Sequence, residues 1–230
     1  FLGSTMLSRS NQDESGVYLH RTDYTFAHAY MTLSWNLMCR AGTTQGICLN
    51  HMEWNCDALQ IYFAHNKTDQ QGERPKDPRH IYANPLSPDI CPILSLGVYF
   101  LCCRFSPNQK KLFPGAQQYD RFLKSLKRVL NEKEVQEELN RRGIKPKDIG
   151  SHSCRKGAAC KCTTGSTACP HIASVCLRAG WALEASQGRY IRYEAAGDQY
   201  VGRTVTGLPI NTADFAVLPP FFPDGSGDAE

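Results

Sequence analysis

One segment of this chain alternates apolar and polar residues in the manner of a strand: Ala58-Leu59-Gln60-Ile61-Tyr62-Phe63-Ala64. A period of two sends successive side chains to opposite faces, which is how a half-buried strand reads. The turn formers of His65-Asn66-Lys67-Thr68-Asp69-Gln70-Gln71-Gly72 follow, and Arg79-His80-Ile81-Tyr82-Ala83 reads as the returning strand of a hairpin. Upstream, His51-Met52-Glu53-Trp54 reads as a turn and short helix leading into a strand. The other regular patterns are helical, so the expected fold class is α+β: mostly α-helical with a small antiparallel β-sheet or hairpin.

Helical periodicity is clearest from Asp23 to about Cys39, where Tyr24, Phe26, Ala27, Tyr30, Met31, Leu33, Leu37 and Met38 recur at core spacing. A second helix starts near Ser87-Pro88-Asp89, with Pro in the first turn and Asp at the positive end, and continues to Leu101. Tyr119 to Leu130 gives an amphipathic helix with a basic outer face, and Glu132 to Arg142 a shorter one stopped by Gly143. Further helices are expected from about Ser153 to Cys162, Ile172 to Ala179 and Glu184 to Tyr193. Phe1 to Gly16 is polar and Ser/Asn-rich, so residues 1–16 read as a linker or N-terminal extension. Residues 17–215 form the domain and 216–230 a C-terminal arm or flexible tail; the whole stretch from Gly197 to Glu230 reads as an arm packing on something or as a disordered end.

At 230 residues the chain can bury a sizeable core. No apolar run reaches membrane-spanning length, and no membrane partner is expected. Nothing like a signal peptide follows Phe1, and the eleven cysteines are scattered, so the expectation is a stretch of a longer intracellular, nuclear polypeptide with reduced thiols. The net charge of +4 does not by itself imply a nucleic-acid partner. Its distribution says more: Lys110 and Lys111, Arg121, Lys124, Lys127 and Arg128, and Arg141, Arg142, Lys145 and Lys147 gather before residue 151, although a solvated helix face would look the same.

From Ser151 the sequence reads Ser151-His152-Ser153-Cys154-Arg155-Lys156-Gly157-Ala158-Ala159, and later Gly180-Trp181 and Gly188-Arg189-Tyr190-Ile191-Arg192. Spacing of three residues puts His152 and Arg155 on one face at the start of a helix, where anions are favoured. The His152-to-Ala159 string, the Gly180-Trp181 pair and the Tyr190-Ile191-Arg192 triplet resemble the catalytic half of tyrosine site-specific recombinases, Cre-like ones with Trp where most relatives carry His. The ending Gly197-Asp198-Gln199-Tyr200-Val201-Gly202-Arg203 and the overall style look like Crypton-type mobile-element recombinases.

The resemblance implies the following roles. Tyr190 is the nucleophile and forms a 3'-phosphotyrosyl link; Arg40 and Arg155 hold the phosphate; His152 assists proton transfer from the phenol. Lys67, in the β-hairpin, protonates the departing 5'-oxygen, and Trp181 donates its indole N–H to a phosphate oxygen or packs beside it. Tyr193 is a rival nucleophile, but the spacing from Trp181 and the following Ile191-Arg192 favour Tyr190. Asn66-Lys67-Thr68 also fits the N-glycosylation pattern, discounted without a secretory context. Preorganised cations replace metal in such chemistry, so no cofactor and no metal are expected. The implied partners are double-stranded DNA and a homo-tetramer assembled on it, in integration or excision of a transposable element. One departure is Thr43, three residues after Arg40, where the family usually has Glu or Asp. The N-terminal helical domain that completes a clamp around DNA is not among these residues, and this half alone is expected to bind DNA poorly.

Two alternatives differ in class. One keeps the fold and drops the chemistry: a domesticated recombinase acting as a DNA-binding or scaffold protein, favoured by Thr43 and the mild charge. The other is a zinc-binding or redox module built from Cys154, Cys160, Cys162, Cys169, His171 and Cys176. Its gaps are irregular, and Cys160 and Cys162 on a helix would point apart.

Overall fold

A computed structural model of the chain describes residues 1–11, 18–63, 77–103, 105–164, 166–181, 195–212 and 215. In chain order the helices are α1 (Leu2–Asn11), α2 (Tyr18–Leu37), α3 (Ala41–Gln45), α4 (Pro92–Cys102), α5 (Gln118–Leu130), α6 (Lys133–Arg141), α7 (Ser151–Thr164), α8 (Ile172–Ala179) and α9 (Ala195–Thr206). Three strands, β1 (Met52–Asn55), β2 (Ala58–Ile61) and β3 (Arg79–Ile81), form one antiparallel sheet in the order β1-β2-β3. The fold is therefore mixed, mainly helical, with a small three-stranded antiparallel sheet.

The molecule is built around α2, which is buried on both sides. Phe26, Tyr30, Leu33 and Leu37, at three- and four-residue spacing, are fully buried. Tyr30 stacks on Phe122 of α5 with ring centroids 4.6 Å apart, and Phe26 meets Phe113 edge-on at 5.4 Å. The opposite side is polar but satisfied. His28 Nε2 donates to the carbonyl of Asp89 at 2.8 Å, and the hydroxyl of Ser95 on α4 donates to His28 Nδ1 at 2.9 Å. Burial lowers the pKa of this imidazole, which suits the neutral form that the pairing requires.

The sheet lies where the alternation placed it, but β2 is buried at all of its positions rather than on one face. β2 pairs with β3 in the register Leu59↔Ile81, and with β1 in the register Asn55↔Ala58 across the turn at Cys56 and Asp57. Cys56 takes φ 53 there, the left-handed conformation that tight hairpins use. All of β2 and β3 is buried, because β3 lies against both α2 and α9.

A second core joins α7, α8 and α9 to the end of α2 through Met38, Ala158, Ala159, Cys162, Val175, Ala179, Val201 and Val205, with Trp35 packed beside them. Small residues on α7 let the helices approach closely. Trp35 donates its indole N–H to the carbonyl of Val205 at 2.9 Å.

Two expectations are corrected. Within Phe1 to Gly16, read as a linker, α1 packs on α2 and buries Met6 completely; Leu2 and Met6, one turn apart, supply the apolar anchor. The stretch from Gly197, read as an arm or disordered end, begins instead inside α9, whose Val201, Gly202 and Val205 are buried. A side chain at Gly202 would meet the carbonyl oxygen of His80 at 2.5 Å, so glycine here permits a close helix–strand contact rather than marking a loop. The expected helix from Glu184 to Tyr193 and the arm 216–230 lie outside the described residues.

Candidate active site

Arg40 follows the end of α2. Met38, at φ 50, turns the chain out of the helix, and Arg40 becomes the N-cap residue of α3, its carbonyl accepting the N–H groups of Thr43 at 2.9 Å and Thr44 at 3.0 Å. Its side chain is exposed. Tyr30 pins this corner from the core by donating its hydroxyl to the carbonyl of Ala41 at 2.6 Å. The residue buried next to Arg40 is Thr44, whose hydroxyl lies 2.9 Å from Ser34 Oγ and 3.1 Å from Cys39 Sγ. Thr43, in the place where an acid was expected, is half-buried.

Arg155 sits on α7, which starts at Ser151, slightly ahead of the expected Ser153. Its Nη2 donates to the carbonyl of Ala179 at 2.5 Å, and its guanidinium carbon lies 5.5 Å from the ring centroid of Trp181. Burial, and after it the positive charge of Arg40, lowers the proton affinity of Arg155. The two positive charges thus influence each other although the residues are far apart in sequence. Among the described residues neither forms an ion pair with a carboxylate.

Trp181 is reached through Gly180, which closes α8 at φ 64 in the left-handed conformation; the backbone N–H of Trp181 then returns to the carbonyl of Cys176 at 2.9 Å. The residue is 40% exposed. His152 is exposed in the first turn of α7, on the face it shares with Arg155 by three-residue spacing. Four of the six expected residues therefore have described positions. Arg155 and Trp181 are in contact, the charge of Arg40 reaches Arg155, and His152 lies one turn from Arg155. Lys67, in the connection between β2 and β3, and Tyr190, between Trp181 and α9, lie outside the described residues, as does Tyr193.

Beneath these residues is a charge network that sequence reasoning missed. The side chain of Arg178, on α8, is fully buried; its Nη1 pairs with Asp198 Oδ2 at 2.7 Å, and its Nη2 donates to the carbonyls of Asn36 and His80, each at 2.8 Å. Asp198 also accepts the backbone N–H and ring Nδ1–H of His80, both at 2.9 Å. Burial alone would raise the Asp198 carboxyl, but Arg178, His80 and Arg79 outweigh it and hold it at about 2. The signal available in the sequence was an arginine near the end of an apolar helix, Ile172 to Ala179, with no local acid to pair with.

The candidate zinc set does not gather. Cys160 is exposed and Cys162 buried on the same helix, and among the described residues no three His, Cys, Asp or Glu side chains are placed to share a metal ion. The basic stretches before residue 151 are partly neutralised: Arg121 and Arg128 face Asp23 at 2.8 Å and 3.8 Å, and Arg141 and Arg142 both pair with Glu138. No helix among the described residues is long and apolar enough to cross a membrane. No family model matches the chain, and neither a curated protein nor a solved structure matches it.

Proposed function

We propose that the chain is the catalytic domain of a tyrosine recombinase that breaks and rejoins DNA through a 3'-phosphotyrosyl intermediate, of the type that moves transposable elements. The observation that carries the reading is the seat of Arg155, its guanidinium against the Trp181 ring and within reach of the positive charge of Arg40, with no carboxylate paired to either arginine among the described residues. A fold tolerates like charges side by side where an anion is to be bound, and two guanidinium groups suit the non-bridging oxygens of a phosphodiester. The three-stranded sheet supports it too, since residue 67 falls in the β2–β3 connection, the place the resemblance gives to the lysine.

In the proposed reaction the phenolic oxygen of Tyr190 attacks the phosphorus while its proton passes to His152. Arg40, Arg155 and the Trp181 N–H stabilise the charge on the non-bridging oxygens. The bond to the 5'-oxygen breaks and Lys67 protonates that oxygen as it leaves. The phosphotyrosyl ester retains the energy of the broken linkage, and attack by a 5'-hydroxyl reverses the step. Double-stranded DNA is the substrate, and strand exchange between two duplexes requires a multimer on DNA, which we place at four copies in a nuclear setting.

The test is covalent capture. Labelled duplexes from a randomised pool, nicked so that the short 5'-hydroxyl fragment is lost on cleavage, are incubated with the protein and resolved under denaturing conditions. A protein–DNA adduct that is abolished by Tyr190→Phe and kept by Tyr193→Phe supports the proposal. Duplex shifted by the protein in a native gel at the same concentration, without any adduct under denaturing conditions, overturns it in favour of the scaffold reading, which rests on Thr43 and the mild charge.

A further inference from the structure

We infer that Arg79 is a positioning residue for Arg155, acting through the C-terminal end of α8; the inference rests on the recombinase reading above. The last three carbonyls of α8 are each taken by an arginine. Arg79 Nη2 donates to Leu177 at 2.8 Å and Arg79 Nε to Arg178 at 3.1 Å, while Arg155 Nη2 donates to Ala179 at 2.5 Å. Two guanidinium groups thus share one helix end, where the backbone dipoles favour cations.

The two arginines come from different parts of the fold. Arg79 opens β3 and Arg155 belongs to α7, so the helix end is the joint through which the sheet fixes the guanidinium of the proposed phosphate clamp. Arg79 is buried, so an effect on DNA passes through another residue. Its Nη1 also lies 3.9 Å from Asp198 Oδ1, which ties it to the same network that holds Arg178.

The planar fork of arginine can serve two adjacent carbonyls at once, which a lysine ammonium on its flexible stem does not reproduce. A shift of α8 by a fraction of its contact distance displaces the seat of Arg155. Misplacement of about 1 Å in such a group costs on the order of a hundredfold in rate.

The test is the single-turnover rate of adduct formation on the nicked duplexes for the wild-type chain, Arg79→Lys, Arg79→Met, Arg155→Lys and the two double variants, with melting temperatures alongside. Arg79→Lys and Arg79→Met are expected to lose about tenfold to a hundredfold alone. Added to Arg155→Lys, each is expected to change the rate by less than about twofold, because the seat it maintains no longer holds its occupant. Losses that multiply in the double variants, or full rates in both single variants, overturn the inference and leave the recombinase reading standing. Arg79→Lys keeps the buried charge and is the variant read if Arg79→Met fails to fold. A wild-type chain without a Tyr190-dependent adduct overturns both.

Discussion

Trp35 and Gly157 touch in a way that admits no side chain at residue 157: a Cβ there would lie 2.7 Å from Trp35 Cζ3 and 3.2 Å from Cη2. On an open helix, alanine in place of glycine stabilises by about 0.5–1 kcal/mol. Here the ring is held by its bond to Val205 and cannot swing away freely, so overpacking at about 1–3 kcal/mol wins. Gly157→Ala is expected to lower the urea midpoint, and Gly157→Ala with Trp35→Phe to recover part of the loss.

The Asp198 carboxyl sets a dependence on acid. Its folded pKa of about 2 is below the unfolded value of about 3.9, so its contribution is complete above about pH 4 and is lost as pH falls towards 2. Denaturation at pH 5 and pH 3 should show a drop in stability that shrinks in Asp198→Asn. At neutral pH that variant leaves Arg178 buried without its anion and should cost about 3–5 kcal/mol.

Arg40 should separate chemistry from stability. It is exposed, and removing it also removes repulsion from Arg155, so Arg40→Ala should leave the unfolding free energy within about 0.5 kcal/mol of wild type. Adduct formation should fall by roughly 10²–10³, the typical loss of one preorganised donor to a transition-state oxyanion. A large fall in stability would mean that the residue is structural.

The thiols divide by burial. Cys56 and Cys160 are exposed, whereas burial pushes the Cys39 and Cys162 thiols each to about 11. An aromatic disulfide reagent at pH 8 should modify Cys56 and Cys160 in the folded protein, and Cys39 and Cys162 only on unfolding. Peptide mapping after a short exposure checks the order.

Met6 tests whether α1 belongs to the domain. Its side chain is fully buried, so Met6→Ala should cost about 2–5 kcal/mol, with a single unfolding transition. A change below about 0.5 kcal/mol, as at a surface position, would return α1 to the status of an appendage.

What the sequence disclosed follows from which physical signals are local. Apolar spacing located α2, α5 and α6 within a few residues and α8 from Ile172 to Ala179, and alternation located the pairing of β2 with β3. α9 was hidden because Pro219-Pro220, Phe221-Phe222 and the acidic Gly/Ser end dominate the stretch from Gly197, while the reason for Gly202, the approach of the His80 carbonyl, is a tertiary contact. α1 was hidden because two apolar residues in a polar stretch make a faint stripe. Arg178 and Asp198 pair across elements, and neither spacing nor composition announces such a partnership. Within the candidate site, the pairing of Arg40 with Arg155 was expected only from the resemblance, and the contacts of Arg155 with Ala179 and Trp181 were not foreseen.

The crowding of Arg40 and Arg155 has a consequence for the protein at rest. Among the described residues neither guanidinium meets a carboxylate, so the packing of the rest of the domain bears their repulsion. Under the proposed function an oxyanion docked on the pair relieves that repulsion, and its occupancy should tighten the corner between α2 and α7.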